Sequence, residues 1–193
     1  MIYVIGRWGN GTSLVAEIVR RHGFFMGAID TPGPGGTDPK RARNKWGNVE
    51  DTDMLRAIQC GSILHTKAGI RCLRKKAHER NMPPACKIPW ILVREFCWPI
   101  IEQEGLTKVI WVRRPSKDNA TYEMLHQNQA TALANYPILQ ERWLEYPGIE
   151  VLYEDVIAHP QQAITQIANL LEVEVAPDAI KAIDPTWPSR RMR

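Results

Sequence analysis

The chain has 193 residues, long enough for one domain with a sizeable buried core. Hydrophobic residues make up 44% and charged residues 24%, the balance of a folded, water-exposed protein and not of a disordered tail. Lysine and arginine exceed aspartate and glutamate by 25 − 21 = +4, a mild basic surplus that suits a small anionic ligand and does not call for nucleic acid.

The first run, Met1 to Ile5 (MIYVI), is apolar and stops at Gly6, which predicts a buried first strand and no signal peptide. Gly6 to Gly11 reads as a turn. Thr12 to His22 carries Leu14, Val15, Ile18 and Val19 at helical spacing, and Gly23 ends that helix. Ala28 to Asn48 is rich in Gly, Pro and charge, with Lys40, Arg41, Arg43 and Lys45 among its residues, and is predicted to be a long loop. Helices are expected over Val49 to Cys60 and Thr66 to Arg80, and a short strand over Ala85 to Ile88. A further helix is expected over Trp90 to Gln103, where Pro99 sits poorly. Lys108 to Val112 (KVIWV) is the clearest internal strand. Helices over Asn119 to Asn135 and Pro160 to Leu171 flank a strand at Ile149 to Tyr153.

Strands alternating with helices imply an α/β protein. The expected architecture is a P-loop-type three-layer α/β/α arrangement over a central parallel sheet of four to five strands, in a single domain spanning residues 1–193. No apolar run is long enough to span a bilayer. The four cysteines, Cys60, Cys72, Cys86 and Cys97, show neither a CxxC pair nor metal-type spacing with histidine. They are expected to be reduced thiols in a cytoplasmic protein.

The strand–turn–helix at the start reads G6-R-W-G-N-G-T-S13. A nucleotide-triphosphate phosphate loop reads G-x-x-x-x-G-K-[ST]. Gly6, Gly11 and Ser13 hold their places, while Thr12 stands where the lysine would be. Glycines let backbone N–H groups converge on an anion, and the following helix adds the positive end of its dipole. A loop without its lysine suits one or two anionic groups better than a magnesium-bound triphosphate. The second constellation is Arg113-Arg114-Pro115, directly after KVIWV, with Thr121 eight residues beyond Arg113. Arginines at the carboxyl end of a parallel strand lie where open sheets bind ligands, and guanidinium matches phosphate in bidentate geometry.

Taken together, these residues resemble the sulfotransferases that use 3′-phosphoadenosine 5′-phosphosulfate (PAPS). That family opens with a strand and a loop such as G-x-x-R-S-G-T-S-L, matched here by Gly6, Gly11, Thr12, Ser13 and Leu14. Its R-x-P element, with a serine eight residues after the arginine, is matched by Arg113, Pro115 and Thr121. Lys87-Ile88-Pro89 is similar to the remnant of a K-D-P-R element. Tyr153-Glu154-Asp155-Val156 with Pro160 repeats a Y-E-D-L-x-x-x-P spacing, and Trp46 to Asp51 (WGNVED) is similar to a G-x-x-E segment.

The resemblance implies that Gly9, Asn10, Gly11, Thr12 and Ser13 hold the 5′-phosphosulfate and that Arg113 and Thr121 hold the 3′-phosphate. It implies sulfonate transfer to a small-molecule or glycan acceptor, without a metal. Lys87 and Arg7 are the candidates to neutralise charge on the bridging oxygen, because the family's basic residue ahead of S-G-T is Gly9 here. Glu50 is the first candidate for the base that takes the acceptor's proton, and His65 the second. For Glu50 the competing reading is a carboxylate at a helix start. Two other functions stay open on the sequence: a divergent nucleotide or small-molecule kinase, and a non-catalytic anion-binding relative.

Overall fold

The computed structural model describes residues 1–6, 10–27, 51, 54, 57–58, 60–89, 98–114 and 145–183. Four strands in these residues form one parallel sheet: β1 (Ile2–Gly6), β2 (Ala85–Pro89), β3 (Lys108–Arg113) and β4 (Gly148–Leu152). Their order across the sheet is β2-β1-β3-β4. The helices are α1 (Thr12–Arg21), α2 (Ile63–Glu79), α3 (Trp98–Gln103), α4 (Tyr153–Ala158) and α5 (Pro160–Leu171), followed by a 3-10 turn at Ala179–Ala182. The protein is therefore an α/β fold built on a parallel sheet, as its alternating pattern predicts.

β1 is buried along all five residues because it has a parallel neighbour on each side and helices packed on its faces. Val4 stands opposite Lys87 in β2 and Ile110 in β3. Side chains alternate across the sheet. Ile2, Val4, Ile110, Val112 and Val151 pack with Val15, Ile18 and Val19 of α1 and with Ile164 and Ile167 of α5. Tyr3, Ile5, Cys86, Ile88, Val109 and Trp111 pack instead with Ile70 and Leu73 of α2 and with Trp98 and Ile101 of α3. This parity decides which side chains can reach the start of α1.

Several element boundaries move from where the sequence suggests. α2 begins at Ile63, not Thr66, because its opening residues are exposed (Ile63 52%, Leu64 77%) and contribute nothing to the buried stripe of Thr66, Gly69, Ile70, Leu73 and Ala77. β4 ends at Leu152, and Tyr153 opens α4 instead of closing the strand. Pro99 is the second residue of α3, a first-turn position where no intrahelical N–H is needed. Within the expected helix at Val49 to Cys60, Met54, Ala57 and Ile58 are helical and Asp51 is not. The expected loop over Ala28 to Asn48 and the expected helix over Asn119 to Asn135 lie outside the described residues. Cys60, Cys72 and Cys86 are free thiols.

Candidate anion site at the start of the first helix

Sheet order places a topological switch between β1 and β3. The chain leaving β1 travels to β2 on one side, and the chain leaving β3 travels to β4 on the other. The carboxyl ends of two neighbouring strands thus part company there, opening the crevice where parallel sheets bind ligands. The phosphate-loop motif follows β1 and the arginine pair follows β3, so both motifs converge on this point.

The floor of the crevice is built by close packing. A side-chain carbon at Gly6 would overlap the Val112 carbonyl oxygen and stand 2.7 Å from Thr12 Cγ2. Asn10 is 2% exposed, and its Nδ2 donates to the Val112 carbonyl at 3.2 Å, tying the loop to the end of β3. Its Oδ1 has no partner among the described residues. Gly11 has φ +85°, a left-handed conformation that costs other residues, and it caps α1. Any side chain at Gly11 would also overlap the ring of Tyr153, which lies against it.

The amides of Leu14 and Val15 donate to the Gly11 carbonyl, which starts the helix. Gly11 supplies no side-chain cap, and the first turn of α1 contains no acidic residue. The positive end of the helix dipole is left without a carboxylate from its own turn. Two cations come from the strands that flank β1. Lys87 enters from β2, on the α1 face of the sheet by its pairing with Val4. It is 5% exposed, and its Nζ donates to Ser13 Oγ at 2.9 Å. Arg114 enters from beyond β3. Its guanidinium lies 4.7 Å from the centroid of the Tyr153 ring, and its Nε is 3.7 Å from Glu154 Oε1.

Arg113 follows the other parity. It shares the Trp111 face of the sheet, and its Nη1 donates to both carboxylate oxygens of Glu150, at 3.0 and 3.2 Å. The structure thus brings Asn10, Gly11, Thr12, Ser13 and Lys87 together around the start of α1 and directs Arg113 toward Glu150. Arg7, Gly9, Glu50 and Thr121 lie outside the described residues. His65 is exposed in the first turn of α2. Among the described residues, no cluster of three or more His, Cys, Asp or Glu side chains is arranged to hold a metal, and no helix is long and apolar enough to cross a membrane.

Sequence reasoning named Arg114 beside Arg113, and Tyr153 at the head of its YEDV spacing, and gave neither a place near the start of α1. The signal for Arg114 was present in the parity of KVIWVRR: Val112 faces α1, so the residue two positions on returns to that side. Tyr153 carried no such signal, because its contact with Gly11 depends on where α4 begins. No family model, curated protein or solved structure matches the chain.

Proposed function

We propose that this chain is a PAPS-dependent sulfotransferase, with a P-loop-type three-layer architecture, acting on a hydroxyl or amine acceptor of small-molecule or glycan type. The observation that carries the reading is Lys87: a loop with phosphate-loop spacing lacks its own lysine, and a buried lysine from the adjacent strand contacts the hydroxyl of Ser13. The group that PAPS supplies when bound is a sulfonate whose leaving atom is a phosphate oxygen. The chain's part is to position and to neutralise charge. The first amides of α1, with the Thr12 and Ser13 hydroxyls, suit the 5′-phosphate. Lys87 supplies a positive charge beside Ser13, where negative charge develops on the leaving oxygen. In this proposal Arg7 lends further charge, Arg113 and Thr121 take the 3′-phosphate, and Glu50 removes the acceptor's proton.

A lysine delivered from β2 would also serve the β- and γ-phosphates of ATP, so the kinase reading draws on the same contact. Calorimetry separates the two. Adenosine 3′,5′-bisphosphate is expected to bind more tightly than ATP or AMP, without magnesium, and Lys87→Met is expected to weaken it about ten-fold, the scale of one charge-assisted hydrogen bond. Magnesium-dependent ATP binding of equal or greater affinity would replace the sulfotransferase with the kinase.

A further inference from the structure

The two arginines after β3 part company at the sheet edge. Arg113 stays on the Trp111 face, fastened to Glu150. Arg114 turns to the α1 face and lies over Tyr153, whose ring in turn lies against Gly11 at the cap of α1. The Tyr153 ring thus contacts both the Arg114 guanidinium and the Gly11 position. Only a glycine at position 11 allows that approach, since any side chain there would occupy the space of the ring. Arg114 is 20% exposed, and its 3.7 Å contact with Glu154, itself 44% exposed, is screened by water. Stacking on an aromatic face holds guanidinium flat, with its edge donors directed outward, which is the geometry in which it grips phosphate oxygens.

We infer that Arg114, and not Arg113, is the arginine of the loop's anion site: it pairs with Lys87 across β1 to clamp the group bound at the start of α1, and Tyr153 is the positioning residue that sets its plane. This rests on the anion-site reading of the loop and adds the residue that determines its specificity for an anion with at least two free oxygens. Lys87 supplies a point charge from the β2 side, and Arg114 a planar fork from the β3 side.

The test uses the full chain and three probes in calorimetry: pyrophosphate, AMP and adenosine 3′,5′-bisphosphate. Arg114→Ala is expected to weaken all three by about ten-fold or more, because each presents a phosphate to the loop. Arg114→Lys is expected to recover less than half of that loss in log affinity, since it keeps the charge and loses the fork. Tyr153→Leu, which keeps an apolar side chain against Gly11, is expected to weaken the three probes by a similar factor to Arg114→Lys.

Arg113→Ala is expected to weaken adenosine 3′,5′-bisphosphate and to leave pyrophosphate and AMP, which carry no 3′-phosphate, within two-fold. The inference is overturned if Arg113→Ala costs pyrophosphate as much as Arg114→Ala, or if Arg114→Ala spares pyrophosphate. Thermal unfolding of each variant verifies its fold, and should Arg114→Ala fail to fold, Arg114→Lys carries the comparison. A wild-type chain that binds pyrophosphate and neither nucleotide would overturn the PAPS reading alone, with the arginine assignment still decided by pyrophosphate.

Discussion

At the scale of single residues, Gly11 does two separable things. Its φ of +85° requires a left-handed backbone, and its bare Cα admits the Tyr153 ring. Gly11→Ala therefore combines a conformational cost of about 1–2 kcal/mol with an overpacking cost of about 1–3 kcal/mol. Adding Tyr153→Ala is expected to relieve the second cost and leave the first, so the double variant is less destabilised than the sum of its parts. Urea unfolding of the four-member cycle measures this coupling, and strict additivity would mean that the ring does not confront position 11. Gly11 and Ser13 lie where the motif spacing puts them because the backbone of one short loop imposes that spacing. The opposite sides taken by Arg113 and Arg114 follow from strand parity and not from the motif, since a motif aligns residues by number and a strand sorts them by side.

Whole elements show where periodicity informs and where it fails. α5 was legible to the residue because Pro160 fixes its start and the buried set Ala163, Ile164, Ile167, Ala168 and Leu171 keeps helical spacing to its end. The start of α2 was hidden because exposed Ile63 and Leu64 look like core residues in the sequence and are not.

α1 is held at its far end by a charged tie that no motif announced. Glu17 is 2% exposed and accepts hydrogen bonds from Arg20 and from Arg21 Nε at 2.9 Å. Arg21 Nη1 also donates to the Asp178 carboxylate at 2.7 Å and to its carbonyl at 3.1 Å, linking α1 to the turn at Ala179–Ala182. Arg21→Ala is expected to cost about 1.5–3 kcal/mol, because a buried carboxylate loses one of its two cations. Asp178→Ala is expected to cost under about 1 kcal/mol, since that carboxylate is half exposed and Arg21 keeps Glu17. Chemical denaturation of both variants compares them, and equal losses would relocate the anchor from Glu17 to the turn.

The sheet as a whole was legible in class and not in order. Alternating strands and helices establish a parallel sheet, yet nothing local to β1 says that β2 and β3 lie on opposite sides of it. That order places Tyr3 on an interior strand, wholly buried in one cluster with residues of α2 and α3, beside Cys86 in the adjoining strand. Its hydroxyl has no hydrogen-bond partner among the described residues. Burial holds the phenol well above the ordinary tyrosine value of 10.0; Cys86 and Glu104 push it the same way, and Arg74 opposes them.

The consequence for the whole fold has a definite sign. Below pH about 10 the phenol is protonated whether the chain is folded or not, and it contributes no pH dependence. As pH rises past that value the unfolded chain releases the proton and the folded chain retains it, so stability falls by about 1.4 kcal/mol per pH unit for this one group. Tyr3→Phe removes both the ionisation and the orphaned hydroxyl. It is expected to match or exceed the wild type near pH 7.5, by up to about 1–3 kcal/mol, and to lose less stability between pH 9 and about 11.5. Urea midpoints at the three pH values, for both chains, give the comparison. Parallel losses in the two chains would show that Tyr3 ionises in the folded state and that the centre of the sheet is open to water.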